Sequence, residues 1–225
     1  MNRATFADIE KYMLSCMTDA AHDKDHVYRV LYNALDIAKH ERDVDYDVLV
    51  TACLLHDIGR KEQFENPELD HAEIGGDKAF AFLTERGADK AFAEKVRDCI
   101  VSHRFRKSCP PKSTEAKILF DADKLDVTGA IGIARTLVYK GTVCDPLYSL
   151  DDSGMPTSGE ADERPSFFQE YNFKLKNLYT RFYTERGAQS AKERRAAARD
   201  FYQSLYGEVR QTYDNGAAEL KNLLD

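Results

Sequence analysis

The strongest constraint on this chain is a helical repeat of apolar residues that recurs through most of its length. In one segment the repeat is clear, with apolar side chains at Val27, Val30, Leu31, Ala34, Leu35 and Ala38. A period near 3.6 residues places such side chains on one stripe of an α-helix, which must be buried against other helices. Strand-like alternation is nowhere long enough to predict a sheet. The sequence therefore predicts an all-α fold.

Turn and cap residues divide the pattern into separate helices. We predict helices over 27–38, 48–55, 70–86, 89–103 and 115–127. Asp23 or Asp25 can cap the first helix, and Asp89 can cap the fourth, by accepting backbone N–H groups. Gly59 and Gly87 suit the left-handed turn that often follows a helix.

The length of the chain bounds its domain organisation. With 225 residues, 43% of them hydrophobic, the chain can bury one good core and is short for two. We expect a single domain over 1–225, with a central core over 20–140. The segment 141–165 is rich in Asp, Ser, Gly and Pro, which predicts a long surface loop. Helical patterning resumes over 166–225, an extension expected to pack on the core as a lid or brace.

Charge and cysteine content exclude several classes of protein. Lys and Arg number 32 and Asp and Glu 39, a net charge of −7, which argues against a nucleic-acid polymer as partner and favours small anionic ligands. The 5 cysteines form no C-x-x-C pair, so neither a disulfide framework nor a thiolate zinc site is indicated. The sequence has neither a secretory signal nor a membrane-length apolar run. We expect a cytoplasmic monomer or homodimer with no membrane partner.

Imidazole and carboxylate side chains occur where the predicted helices begin or end. His26 lies in the first turn of one helix, His56 and Asp57 end the next, and Asp123 is on the inward face of the last. Adjacent helical side chains diverge by about 100°, so His56 and Asp57 can share an ion only in a groove between helices. Because a buried carboxylate is costly unless it is paired or binds a metal, this set indicates a metal site. The alternative is an independent structural role for each residue.

Several motifs surround these residues and carry a family resemblance. They are HDKDHVYRV, ACLLHDIGRK, HAEIGGDKAFAFL and EAKILFDADKLDVTGAIGIAR. Their order resembles the HD superfamily of metal-dependent phosphohydrolases, and within it a small bacterial branch similar to nucleotide pyrophosphohydrolases. The resemblance implies a helical HD-domain fold and a divalent ion, Mn, Fe, Co, Ni or Zn, held by His26, His56, Asp57 and Asp123. It also implies hydrolysis of small phosphorylated substrates, with nucleotides as the expected class, by a metal-activated water.

Other polar residues near these motifs are candidates for further roles in that chemistry. Asp126 or Glu62 could orient or deprotonate the water. His71 and His103 face inward and could bind a second metal or hold the ligands in position. We expect the positioning role and a single tightly held ion, because the sequence offers no further carboxylate clearly placed to bridge two ions.

Basic residues follow the predicted ligands closely along the chain. They are Arg60, Lys61, Arg104, Arg106, Lys107 and Lys124. Arginine binds phosphate oxygens through two parallel N–H groups and lysine supplies a point charge, so we interpret them as a phosphate-binding mouth. A solvated rim is the alternative.

Two other functions are compatible with the same residues. A di-iron oxygenase of the HD type would use His71 and His103 to bind a second metal. A non-catalytic nucleotide-binding module would keep the pocket without turnover. Metal counting with oxygen uptake distinguishes the first from a hydrolase, and assays with nucleotides distinguish the second.

Overall fold

Helices supply the regular secondary structure of the described chain. A computed structural model describes residues 1–17, 24–104 and 109–224. Within those ranges no strand is formed, and the single β-bridge joins Leu150 to Pro156. The all-α prediction is confirmed.

The chain divides into two compact units, which we describe separately. Unit 1 comprises Met1–Asp126 and Phe182–Ala188. Its helices are α1 (Arg3–Cys16), α2 (Lys24–Ala38), α3 (Tyr46–Leu55), α4 (Arg60–Glu65), α5 (His71–Glu85), α6 (Lys90–Val101) and α7 (Thr114–Leu125).

Helix α3 is the central element of unit 1. It contacts α1, α2, α5, α6 and α7, and seven of its ten residues are buried. This surrounding explains why α3 is apolar on nearly all sides rather than along one stripe. The two residues that follow it, His56 and Asp57, therefore lie in the interior of unit 1.

Side-chain caps fix where several of these helices begin. Asp70 accepts from the backbone N–H of Ala72 at the start of α5, and Asp89 accepts from that of Phe92 at the start of α6. The cap predicted at Asp89 is thus confirmed. Asp25 lies in the first turn of α2, and Asp23 lies outside the described residues.

The two glycines predicted to end helices have different roles. Gly87 has a φ of +79°, as expected for a left-handed turn after α5. Gly59 has a φ of −94°, so the left-handed turn predicted there is wrong. A Cβ at Gly59 would lie 2.3 Å from the carbonyl oxygen of His71. The glycine is needed because α5 approaches the backbone closely at this point.

Unit 2 comprises Val127–Arg181 and the chain from Gln189 onward. It contains α8 (Gly129–Thr142), α9 (Phe167–Phe173), a short 3-10 helix (Leu175–Asn177) and most of α10 (Glu185–Leu224). Its core cluster is largely aromatic and consists of Ile133, Phe167, Phe168, Tyr171, Leu175, Ala198 and Tyr202.

Between α8 and α9 the described chain forms no helix. The side chain of Asp151 accepts the backbone N–H groups of Ser153 and Met155, which stabilises a turn beside the Leu150–Pro156 bridge. Whether the two units behave as one domain, with 166–225 packed on the core, stays a prediction. No helix in the described ranges is both long and apolar enough to span a membrane.

Candidate metal centre

Four predicted ligands from three helices meet inside unit 1. His26 comes from the first turn of α2, His56 and Asp57 from the end of α3, and Asp123 from the last turn of α7. His26 Nε2 lies 3.3 Å from His56 Nε2, 3.5 Å from Asp57 Oδ2 and 3.4 Å from Asp123 Oδ1. His56 Nε2 lies 3.7 Å from Asp57 Oδ2 and 4.0 Å from Asp123 Oδ1. We call these four residues the first cluster.

The spacing within the first cluster fits a divalent cation. Nitrogen and oxygen ligands lie about 2.0–2.2 Å from a zinc-sized ion, which sets them roughly 3.4 Å apart around a tetrahedral centre. Three of the side chains are at most 3% exposed, whereas that of Asp123 is 25% exposed. The cluster can therefore bind an ion in a buried position with access to solvent on the Asp123 side.

A second cluster adjoins the first through Asp57. Asp57 Oδ1 lies 3.5 Å from His71 Nε2 and 3.6 Å from His103 Nε2. We call Asp57, His71 and His103 the second cluster. The sequence argument against a second ion was the lack of a bridging carboxylate. In the structure Asp57 is placed as such a carboxylate, because one of its oxygens faces each cluster.

Unsatisfied polar atoms mark where the two clusters meet. Asp57 Oδ2, His71 Nε2 and His103 Nε2 are buried and have no hydrogen-bond partner in the described part of the chain. Leaving a buried polar atom unpaired costs about 1–3 kcal/mol. A cation at the first cluster would satisfy Asp57 Oδ2, and a cation at the second would satisfy the two Nε2 atoms, so the residues present fit a metal.

Hydrogen bonds orient all four imidazoles of the two clusters in the same way. Each ring is held through Nδ1 by an oxygen acceptor, which leaves Nε2 facing the other ligands. The acceptors are Asp126 Oδ2 for His26 at 2.8 Å, the Cys53 carbonyl for His56 at 2.8 Å, Gln63 Oε1 for His71 at 2.6 Å and the Ile100 carbonyl for His103 at 2.6 Å.

The carboxylates of the first cluster give it a negative electrostatic environment. Burial alone would lower the pKa of His26, but hydrogen bonds with Asp123, Asp126 and Asp57 outweigh it and raise that pKa to about 10. Burial lowers the pKa of His56 to about 4, despite the neighbouring carboxylates. Burial opposes ionisation of Asp57, yet Arg60 and the histidines hold its pKa well below the ordinary value. The site thus keeps its carboxylates ionised and attracts positive charge.

Asp126 has a different environment from the one expected of a catalytic base. One of its oxygens accepts from His26, and Arg29 binds the carboxylate through two N–H groups, at 2.7 and 3.1 Å. The carboxylate is 1% exposed. This arrangement favours a role in orienting His26.

Glu62, the other base suggested by the sequence, is bound to a lysine. Its Oε1 accepts from Lys78 Nζ at 2.7 Å, and the same ammonium donates to the carbonyl of Ile58 at 2.8 Å. Burial raises the pKa of Glu62, but the bond with Lys78 outweighs burial and lowers it. The pair braces the turn after Asp57, and a lowered pKa makes Glu62 a weak base.

Of the basic residues near the site, the two arginines donate to aspartates, whereas the two lysines have other surroundings. Arg60 Nε donates to Asp57 Oδ1 at 2.9 Å, and Arg104 donates to Asp70 at 3.2 Å. Lys61 is about half exposed, and Lys124 lies over the ring of Phe182 at 4.6 Å. Arg106 and Lys107 lie outside the described residues.

The structure also reveals functional neighbours that the sequence did not identify. Arg29, Gln63 and Lys78 contact the residues around the clusters. Asp121, the first acid of DADKLD, is fully buried and accepts from the backbone of Tyr183 and from Thr184. Asp121 shares a sequence motif with the candidate ligand Asp123, but its role is to hold the segment Phe182–Ala188 in unit 1.

Comparison with known proteins places this site in a family. The family described as HD domain matches residues 24–128. YpgQ of Bacillus subtilis (strain 168) is 32% identical over 151 residues, which cover 64% of this chain and 71% of YpgQ. The structure resembles that of a predicted HD superfamily hydrolase from an uncultured Thermotogales bacterium, with 30% identity, a TM-score of 0.60 and 92% of each chain covered.

A second solved structure extends the comparison. The crystal structure of Bacillus subtilis YpgQ in complex with ADP has a TM-score of 0.70 and 25% identity, and the match covers 91% of this chain and 97% of that one. Together with the paired histidines and aspartates of the first cluster, these matches show that the chain belongs to the HD superfamily.

Proposed function

We propose that this protein is a metal-dependent phosphohydrolase that acts on nucleotides. The first cluster carries the proposal, because two imidazoles and two carboxylates converge with the spacing of ligands around one divalent ion. His26, His56, Asp57 and Asp123 would hold the ion. Ligands of this type suit Mn²⁺, Fe²⁺, Co²⁺, Ni²⁺ or Zn²⁺.

A divalent ion bound there would polarise a phosphoryl oxygen of the substrate and lower the pKa of a water molecule. Asp126 and Arg29 keep the ring of His26 in place, and Arg60 orients the carboxylate of Asp57. We assign Asp126 and Glu62 to positioning rather than to proton transfer. The second cluster is a position for a second cation, with Asp57 shared between the two.

Nucleotide is the proposed substrate class for two reasons. Lys61, Arg104 and Lys124 are charged groups near the ends of helices that carry ligands, and such groups bind phosphate oxygens. YpgQ has been solved in complex with ADP, which supports a nucleoside polyphosphate here. The partly exposed side chain of Asp123 gives the substrate a direction of approach.

A nucleotide panel is the direct test of this function. We expect the Mn²⁺-loaded protein to hydrolyse nucleoside triphosphates, with pyrophosphate as product if the α–β bond is cleaved and phosphate if a terminal bond is cleaved. Lys61→Ala and Arg104→Ala should raise KM while leaving bound metal unchanged. Binding of nucleotides with no turnover under any of the five metals would contradict the hydrolase and support the non-catalytic module.

The second cluster favours one other function. Six ligand residues shared between two cations are also what a di-iron oxygenase would need. Oxygen uptake by the iron-loaded protein, together with absence of nucleotide hydrolysis, would replace the hydrolase with the oxygenase.

A further inference from the structure

Gln63 makes two hydrogen bonds that together fix the orientation of its amide. Its Nε2 donates to the carbonyl oxygen of Leu69 at 2.9 Å, and its Oε1 lies 2.6 Å from His71 Nδ1. A backbone carbonyl can only accept, so the NH₂ group must face Leu69. The amide oxygen must then face the imidazole of His71.

This orientation determines which nitrogen of His71 carries the proton. The amide oxygen is an acceptor only, so His71 Nδ1 must be an N–H donor. A neutral imidazole carries a single N–H, which leaves Nε2 as a lone pair. That atom is buried, has no hydrogen-bond partner in the described residues and lies 3.5 Å from Asp57 Oδ1.

The four imidazoles differ in the kind of acceptor that holds them. His56 and His103 are held by backbone carbonyls, and His26 is held by the carboxylate of Asp126. His71 is held by a neutral side chain, Gln63. A carboxylate partner increases the basicity of an imidazole ligand, whereas an amide sets the tautomer without adding charge.

We propose that Gln63 is a positioning residue that selects the Nδ1–H tautomer of His71 and so makes Nε2 a ligand for a cation in the second cluster. This inference rests on the proposed function, since it concerns the second cation position of the same site. The two cation positions should also differ in affinity. The second cluster has one carboxylate and a neutral amide behind it, so it binds its cation more weakly than the first.

The tautomer can be measured without any metal or substrate. Long-range proton–nitrogen correlation spectra of metal-free protein labelled with ¹⁵N-histidine should show His71 protonated at Nδ1. Gln63→Met removes the acceptor and should shift His71 toward the other tautomer. Gln63→Glu keeps an acceptor oxygen at the same distance and should restore the Nδ1–H form.

Calorimetric titration with Mn²⁺ provides the second readout. We expect two binding steps, with the weaker one a further 10- to 100-fold weaker in Gln63→Met, as is typical when a residue behind a metal ligand is lost. The stronger step should not change. Gln63→Glu should retain or tighten the weaker step, and Gln189→Met, an exposed glutamine on α10, should behave as wild type.

The two measurements separate failure of this inference from failure of the proposed function. An unchanged His71 tautomer in Gln63→Met would overturn the role of Gln63, whatever the enzyme hydrolyses. A wild-type protein with a single Mn²⁺ step would overturn the second cation position. If the wild-type protein does not hydrolyse nucleotides, but Gln63→Met still shifts the His71 tautomer, the result counts against the proposed function and supports the role of Gln63.

Discussion

The two units differ in whether their buried polar groups have hydrogen-bond partners. In unit 2 the amide of Asn172 donates to the carbonyls of Ser158 and Phe168 and to the hydroxyl of Tyr202, at 2.7 to 3.1 Å. In unit 1 the two clusters keep three buried polar atoms without a hydrogen-bond partner among the described residues. Both sets of groups are buried, so exposure to solvent does not explain the difference.

The difference separates polar groups that stabilise the fold from groups kept for a ligand. A satisfied network such as that of Asn172 contributes to stability and specifies the packing of an aromatic core. Unpaired atoms reduce stability by about 1–3 kcal/mol each unless something binds them. Because α3 carries His56 and Asp57 into the interior of unit 1, that cost follows from placing candidate metal ligands in a buried position.

The largest effect should come from removing a ligand of the first cluster. His56→Ala or Asp57→Ala should abolish tight metal binding and hydrolysis, because either change removes one of the converging ligands. Circular dichroism should show that the helical content is retained. Elemental analysis that finds wild-type metal content in both variants would contradict the site.

A smaller loss is expected when the group behind a ligand is changed. Asp126→Asn should weaken the stronger Mn²⁺ step about 10- to 100-fold, because His26 loses its charged partner. Calorimetry measures the effect. Asp36→Asn is a control, since Asp36 lies on the same helix as His26 and pairs with Arg186. A loss of equal size in that variant would show that the effect is not specific to Asp126.

In unit 2 the comparison predicts a loss of stability without loss of metal. Asn172→Leu should lower the free energy of unfolding by about 1–3 kcal/mol, because Tyr202 and two carbonyls lose a donor. Urea denaturation measures this change. Full stability of Asn172→Leu would show that the network in unit 2 is not structural.

The smallest effect is expected for an apolar replacement in the second cluster. His103→Leu in the metal-free protein should change the free energy of unfolding by less than about 1 kcal/mol, or increase it, because an unpaired buried nitrogen is removed. The same variant should lose the weaker Mn²⁺ step. A destabilisation as large as that of Asn172→Leu would mean that His103 Nε2 is already paired in the metal-free protein.

The sequence predicts the helices that bury a clear apolar stripe and misses those that do not. Helix α4 has no buried residue, and α1 buries just Ile9 and Met13, so neither leaves a detectable period. The sequence predicts helical patterning over 166–225, but α9 ends at Phe173 and α10 begins at Glu185. A hydrophobic period shows which face is buried and says little about where the backbone turns.

The site shows a similar division between local and long-range information. The candidate ligands could be identified because each stands at a helix end within a recognisable motif, and their convergence is seen in the structure. The role of Asp126 could not, since His26 is 100 residues away in the chain. Gln63 was missed because its contact with His71 spans a turn between α4 and α5 and follows no helical period. Spacing identifies residue types that can bind a metal, whereas the groups that orient them depend on tertiary contacts.

The most direct test of the account is to locate cations in crystals of the protein grown with Mn²⁺. Anomalous diffraction should give a strong peak bounded by His26, His56, Asp57 and Asp123. A second, weaker peak is expected between Asp57, His71 and His103, where the unpaired nitrogens of the two histidines lie. Crystals with saturating Mn²⁺ and no peak at the first cluster would contradict the central claim that these buried groups are kept to bind a metal.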